Sequence, residues 1–346
     1  MTCAPLGASN RATSAEVAAV RSGVGINEVQ NFGKFEIRGP KARAWLDKIM
    51  AGRIPKQGRL SLTPMLSPKG KLLGDFTVSC LADDWFQLTA SYGYQTIHQR
   101  WFEKHRIDGV QVRNVSDQLT GFQIAGPRAR DVLTAALGRD PGMAFLDVRA
   151  THLDSVECII QRVSYTGDLG YEIYCGPMDQ RRLWNILWAA GEPYDITPFG
   201  MRAMMSLRLD RFFGSWLSEF SPDYTAAETG MDRFISFKKN VDFIGRAAAE
   251  AERATPPART LASFIVDAND ADVTAYEPVF INGEVKGFCT SGGYSHHAQK
   301  SVALALILRE VANEGLEVEI EILGELRKAT LVTTPLFDPE GEAFRA

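Results

Sequence analysis

The chain has 346 residues, 45% hydrophobic and 23% charged, enough to bury a large core and to divide into two or three domains. A net charge of −4 and an isoelectric point near 5.8 give no pull toward nucleic acid or an anionic membrane, and no apolar run approaches the roughly 18 residues that a membrane span needs. The five cysteines form no CxxC pair and the five histidines show no HxxxH or HExxH spacing, so a reducing cytoplasm and no metal site are expected.

In chain order, residues 1–22 are small and polar and read as a loosely held arm without a secretory leader pattern. An internal echo follows. The run Phe35-Glu36-Ile37-Arg38-Gly39-Pro40-Lys41-Ala42-Arg43 recurs as Phe122-Gln123-Ile124-Ala125-Gly126-Pro127-Arg128-Ala129-Arg130, 87 residues on. Each copy alternates like a strand, turns at Gly-Pro and runs into a helix, with Pro suited to a first helical turn. Trp45, Leu46, Ile49 and Met50 share one helical face in the first copy, as do Val132, Leu133, Ala136 and Leu137 in the second. Two related α+β lobes are therefore expected.

Residues 70–88 read as a hairpin turning at Asp83-Asp84. Residues 94–106, 178–190 and 198–210 read as helices. Between them, residues 163–175 place a Thr-Gly-Asp-Leu-Gly turn before a second β-prone run, in which Glu172 stands between Tyr171 and Ile173. A carboxylate in such a run either points to solvent or grips something. A linker is expected near 251–259, around Pro256-Pro257. Beyond it, short strands at 261–266, 279–281, 285–290, 302–308, 317–322 and 327–332 suggest a small barrel or sandwich. No strand is followed by GxGxxG and no GxxxxGK[ST] occurs, so neither a Rossmann-type flavin or nicotinamide site nor a P-loop is expected.

Several stretches carry a resemblance. They are Phe32-Gly33-Lys34-Phe35, Ile54-Pro55-Lys56, Met65-Leu66-Ser67-Pro68-Lys69-Gly70, Gly74-Asp75-Phe76-Thr77-Val78, residues 163–173 and Ser206-Leu207-Arg208-Leu209-Asp210. Asp242-Phe243-Ile244-Gly245-Arg246, Glu277-Pro278-Val279-Phe280 and Thr290-Ser291-Gly292-Gly293-Tyr294 complete the set. Together they resemble the folate-binding aminomethyltransferase family, which includes the glycine-cleavage aminomethyltransferase and the folate domains of dimethylglycine and sarcosine dehydrogenases. The likeness covers about residues 24–340 and is greatest to the dimethylglycine-type members.

That resemblance implies an α+β cloverleaf: two lobes over residues 23–250 and a C-terminal β-barrel over 258–346, with tetrahydrofolate in the central cavity. Glu172 matches the carboxylate that grips the pterin, whose 2-amino group and ring N–H are two parallel donors. Asp75 matches an aspartate placed near the reactive nitrogens, although Gly74 stands where the glycine-cleavage enzyme has one of two adjacent acids. Tyr165 matches a tyrosine lining the site, and with Asp75 forms the catalytic pair. Tyr294 matches a barrel tyrosine facing the cavity. Arg208 is open between a folate contact and a structural ion pair, Arg202 is a candidate to hold a substrate carboxylate, and Tyr94 and Trp216 are open between cavity lining and packing. The implied activity is methyl transfer to tetrahydrofolate from a small methylated amino acid or betaine, dimethylglycine first, giving sarcosine. The alternatives are a subunit taking a one-carbon unit from a partner flavoprotein to form 5,10-methylene-tetrahydrofolate, a dimethylsulfoniopropionate demethylase, and a folate-binding protein without catalysis.

Overall fold

The echo is one strand–turn–helix unit used twice. In the computed structural model, which describes residues 10–268 and 270–346, Phe32–Arg38 (β2) leads to Ala42–Ile49 (α2), and Thr120–Ala125 (β7) leads to Ala129–Leu137 (α4). Gly39 and Gly126 take φ of 123° and 127°. A Cβ there would meet the Gly109 oxygen at 2.2 Å and the Gly23 oxygen at 2.4 Å respectively, so only glycine turns this corner. Pro40 and Pro127 lie in the turn before each helix rather than in its first turn.

The first lobe is a six-stranded sheet in the order β11-β1-β7-β10-β9-β8. Its strands are Gly25–Glu28 (β1), β7, Val148–Leu153 (β8), Val156–Gln161 (β9), Gly170–Cys175 (β10) and Thr197–Pro198 (β11). Helix α4 and Gln180–Gly191 (α5) cover one face, closing a core of Ile124, Leu133, Tyr171, Ile173, Leu183 and Leu187. The second lobe is a five-stranded sheet in the order β3-β4-β5-β2-β6. It is built from Leu60–Leu66 (β3), Leu72–Ala82 (β4), Trp85–Ser91 (β5), Gln111–Asn114 (β6) and β2. Helix α2 and Gln95–His105 (α3) cover it over Phe35, Trp45, Phe76, Phe86 and Phe102.

Six strands close a barrel in the order β12-β15-β14-β13-β16-β17: Arg259–Val266 (β12), Pro278–Ile281 (β13), Glu284–Ser295 (β14), Lys300–Leu308 (β15), Glu317–Ile322 (β16) and Glu325–Val332 (β17). Helix Met201–Leu209 (α6) packs on β14 and ties barrel to lobes. Short helices Ala226–Thr229 (α7) and Glu342–Arg345 (α9) and the longer Arg246–Ala254 (α8) fill the joints. The fold is the expected α+β assembly of two lobes and a barrel.

Three expectations are corrected. The loosely held arm is a helix, Arg11–Ser22 (α1), with Thr13, Val17 and Val20 buried; residues 1–9 of that arm lie outside the described residues. Spacings of four and three put these side chains on one stripe, which rests on Phe199, Ala203, Met204 and Leu207. Arg21 then bonds Asp168 and reaches Asp210 at 2.6 Å, pinning α1 to the Thr-Gly-Asp-Leu-Gly loop. The expected linker is half helix, because α8 continues to Ala254 and only Pro256-Pro257 stops it. Finally, Val163-Ser164-Tyr165 is loop, and the partners of β10 are β7 and β9.

The two sheets have covered far faces. Along β10, Tyr171, Ile173 and Cys175 enter the first core, so Glu172 and Tyr174 point the opposite way. Both are nonetheless buried, at 8% and 0% exposure. Along β4, Phe76 and Val78 enter the second core, leaving Asp75, Thr77 and Ser79 on the other face. The far faces meet, since the ammonium of Lys34 on β2 lies 5.7 Å from the Tyr174 ring.

Candidate functional site

This seam between lobes is lined with polar groups. Glu172 is flanked on its sheet by Gln123 and Gln161. On the opposing sheet Lys34 faces Thr89, which faces Thr77 in turn. Ser79 Oγ, Thr89 Oγ1, Gln123 Oε1 and both amide atoms of Gln87 and Gln161 are buried without a hydrogen-bond partner. Native cores leave few such atoms unless water or a ligand meets them. The Tyr174 hydroxyl donates to Glu172 Oε2 at 2.7 Å, and no hydrogen bond reaches Oε1 from the described residues. Burial raises Glu172 to about 7, against the pull of the Tyr174 hydroxyl and of Lys34. Burial likewise lowers Lys34 to about 8, which the Glu172 charge counters. The site thus holds a carboxylate with one bonding edge free and an unsatisfied polar surround, which is what a flat heterocycle with parallel N–H donors requires.

Asp75 stands on β4 opposite Pro64, which has no N–H to offer. Its Oδ1 is buried and unpartnered, and burial raises its carboxyl to about 7. Tyr165 is close enough that the Asp75 charge raises its phenol, after burial and alongside Glu219, while Arg208 lowers it. The Tyr165 hydroxyl donates to the Gly214 carbonyl at 2.7 Å, so the side chain is a wall with its proton already committed. Tyr94 and Trp216 meet edge to face at 5.1 Å, and Trp216 Nε1 is buried without a partner. His98 joins them, with its ring 6.2 Å from Trp216 and Nε2 2.9 Å from the Leu73 carbonyl. Burial lowers His98 to about 4, so this aromatic cluster is neutral, and His98 also packs on Phe35 and Phe76, on the core side of β4.

The remaining expected residues separate. Arg208 is wholly buried, pairing with Glu219 at 3.3 Å and donating to the Phe213 carbonyl and Ser291 Oγ at 2.8 Å each. It thus forms an ion pair with the stretch that follows α6 and a hydrogen bond to the barrel, while its Nε has no partner. Arg202 is exposed in the first turn of α6, and no carboxylate among the described residues pairs with it. Tyr294 is half-buried on β14, where its carbonyl accepts from Ser206 and its ring meets His296 at 5.1 Å. A surface cavity of about 470 Å³ lies elsewhere, against α7 and α8, lined by Arg53, Lys238, Arg253, Asp232 and Glu252; it contains none of the expected site residues.

Sequence reasoning missed Lys34, Tyr174, Glu219 and His98. Tyr174 had a signal, since it stands two residues after Glu172 and so shares its face. Lys34 alternates with core-facing Phe35 just as solvent-facing Glu36 does, and only the second lobe distinguishes them. His98 and Glu219 had no local signal.

Two lobes and a barrel, with carboxylates and aromatic side chains turned inward, define a chain built to enclose a small polar ligand. The GCVT N-terminal domain profile matches residues 7–239, and the glycine cleavage T-protein C-terminal barrel domain matches residues 259–338. The chain is 34% identical over 332 residues to mitochondrial dimethylglycine dehydrogenase of Rattus norvegicus, covering 94% of this chain and 39% of that protein. It is 29% identical to an aminomethyltransferase of Anoxybacillus flavithermus, covering 92% and 88%. The glycine cleavage system aminomethyltransferase T structure from Bartonella henselae superposes with a TM-score of 0.87 at 23% identity, over 94% and 90%. The chain belongs to the glycine cleavage T-protein family. Tetrahydrofolate is the cofactor of that family and of this chain. The chain spans about two fifths of the dimethylglycine dehydrogenases it matches. No helix of the described residues is long and apolar enough to cross a membrane.

Proposed function

We propose that the protein moves a methyl group from a small methylated amino acid or betaine to tetrahydrofolate, with dimethylglycine the first donor and sarcosine the product. The observation that carries this reading is the Asp75 carboxyl, whose buried Oδ1 has no hydrogen-bond partner and whose charge acts on the Tyr165 phenol. Tetrahydrofolate, when bound, supplies the nitrogen that accepts the carbon. Glu172 holds the pterin edge through its free oxygen, with Tyr174 fixing the other. Asp75 offers negative charge to a cationic donor, and aromatic faces add about 0.5–2 kcal/mol of cation–π attraction. Tyr165 shapes the wall, and water exclusion strengthens each of these interactions. Tyr294 closes the barrel side, and Arg202 takes a donor carboxylate only if α6 or the donor brings the two together. The four described cysteines are free and buried, which agrees with a reducing compartment such as the cytoplasm.

A second reading is favoured by the 39% span of the dimethylglycine dehydrogenases: a partner flavoprotein oxidises the amine and this chain receives the one-carbon unit, forming 5,10-methylene-tetrahydrofolate. An anaerobic incubation with tetrahydrofolate and dimethylglycine, without an electron acceptor, separates the two by mass spectrometry of the folate. Formation of 5-methyl-tetrahydrofolate with sarcosine supports methyl transfer. No product from dimethylglycine, glycine betaine or dimethylsulfoniopropionate refutes it and leaves the flavoprotein-dependent reading.

A further inference from the structure

The seam holds a charge that the reaction above does not use. Lys34 is entirely buried, and its backbone N–H is fixed by Ser116 Oγ at 2.9 Å. Its ammonium donates to the carbonyls of Phe32 at 3.1 Å and Gln30 at 3.4 Å. A neutral amide would satisfy two carbonyls without burying a charge. The remaining proton side faces the other lobe, where the Tyr174 ring lies 5.7 Å away and the Tyr174 hydroxyl holds Glu172 Oε2. Three carboxylates act on Lys34, in the order Glu172, Asp117 and Glu28. Among the described residues none of them forms an ion-pair contact with it.

We propose that Lys34 is a positioning residue for Glu172: its ammonium, reaching across the seam from the second lobe, is the counter-charge of the Tyr174–Glu172 pair. This rests on Glu172 holding the pterin. The consequence is that folate affinity depends on two groups on opposite lobes. Ionised Glu172 accepts the pterin donors, and charged Lys34 keeps Glu172 ionised while bridging the lobes. Loss of either charge weakens the grip, at low pH through Glu172 and at high pH through Lys34. Tyr174 stays protonated throughout, because burial and the Glu172 charge raise it well above its ordinary range.

The test is anaerobic titration of the full chain with tetrahydrofolate by calorimetry between pH 5.5 and 9.5, alongside urea unfolding of each variant. The wild-type chain gives an affinity that rises through neutral pH and falls at alkaline pH. Lys34→Met moves the rising limb up by about half a pH unit or more and abolishes the alkaline fall. Lys34→Arg keeps the rising limb and pushes the fall beyond the range, since a guanidinium stays charged; this variant decides the matter if Lys34→Met does not fold. Affinity lowered by one factor at every pH in Lys34→Met, or an alkaline fall retained in Lys34→Arg, overturns the proposal. Glu172→Gln separates the two ideas. Wild-type affinity in that variant removes the pterin grip and the proposal with it. Weakened binding there, with an unmoved profile in Lys34→Met, removes Lys34 alone.

Discussion

Glu172→Gln should stabilise the ligand-free protein at pH 8 while weakening its hold on tetrahydrofolate. Burial raises Glu172 from 4.5 to about 7. A carboxyl with a raised folded-state value favours the folded state below its unfolded value and loses that advantage as pH climbs to the folded one. Nothing is lost below pH 4.5, the loss grows between 4.5 and 7, and above 7 it is complete. Two and a half pH units correspond to about 3 kcal/mol at 1.36 kcal/mol each. Glutamine keeps an oxygen for the Tyr174 hydroxyl, but Lys34 loses its counter-charge, so a net gain of about 1–2 kcal/mol is expected. For a chain of this size that raises the melting temperature by roughly 1–3 °C. Binding moves the other way. A charge-assisted pair contributes roughly 1.5–3 kcal/mol, so affinity should fall roughly 10- to 150-fold. Differential scanning calorimetry at pH 4.5 and pH 8, with calorimetric titration at pH 8, measures both. A lower melting temperature at pH 8, or an equal shift at both pH values, refutes the argument that the charge of Glu172 is held in place at the expense of stability.

Asp75→Asn should lower the transfer rate about 100-fold or more with tetrahydrofolate affinity nearly unchanged, and the wild-type rate should fall below about pH 7 as this carboxyl takes a proton; an unaltered kcat sinks the catalytic role. Glu219→Ala leaves Arg208 buried with its charge uncompensated and should cost about 3–5 kcal/mol, read as a lower urea midpoint, whereas a midpoint near wild type places Arg208 elsewhere. Gly121→Ala puts a Cβ 2.0 Å from the Ile173 carbonyl oxygen, which must part β7 from β10 next to Glu172; folate binding and melting temperature should fall together, and a variant with both intact contradicts the pairing.

How much of this was legible follows from the range of each signal. The strand–turn–helix units, the β4–β5 hairpin and the barrel strands are written locally, in alternation and in Gly-Pro corners, and they stand close to where the sequence puts them. Helix α1 was misread because Val17 and Val20 are two apolar residues among alanines, too few to mark a face until Phe199 and Leu207 are brought beneath them. Arg208 sits in a recognisable motif, yet its partner Glu219 comes from the stretch after α6 and its third contact, Ser291, from the barrel. The same limit governs the site. Alternation says that Glu172, Tyr174, Asp75 and Lys34 turn away from their own cores, and by that rule alone they belong in water. Their burial comes only from the second sheet, laid face to face by a chain that passes from β1 to β2 and returns at β7. A polar far face in each half-sheet is therefore the sequence trace of this seam, because two such faces pressed together leave polar atoms that only water or a ligand can satisfy. The unpartnered groups of Asp75, Gln87 and Gln161 mark where that pressing occurs, and they lie along the same faces as Glu172 and Lys34.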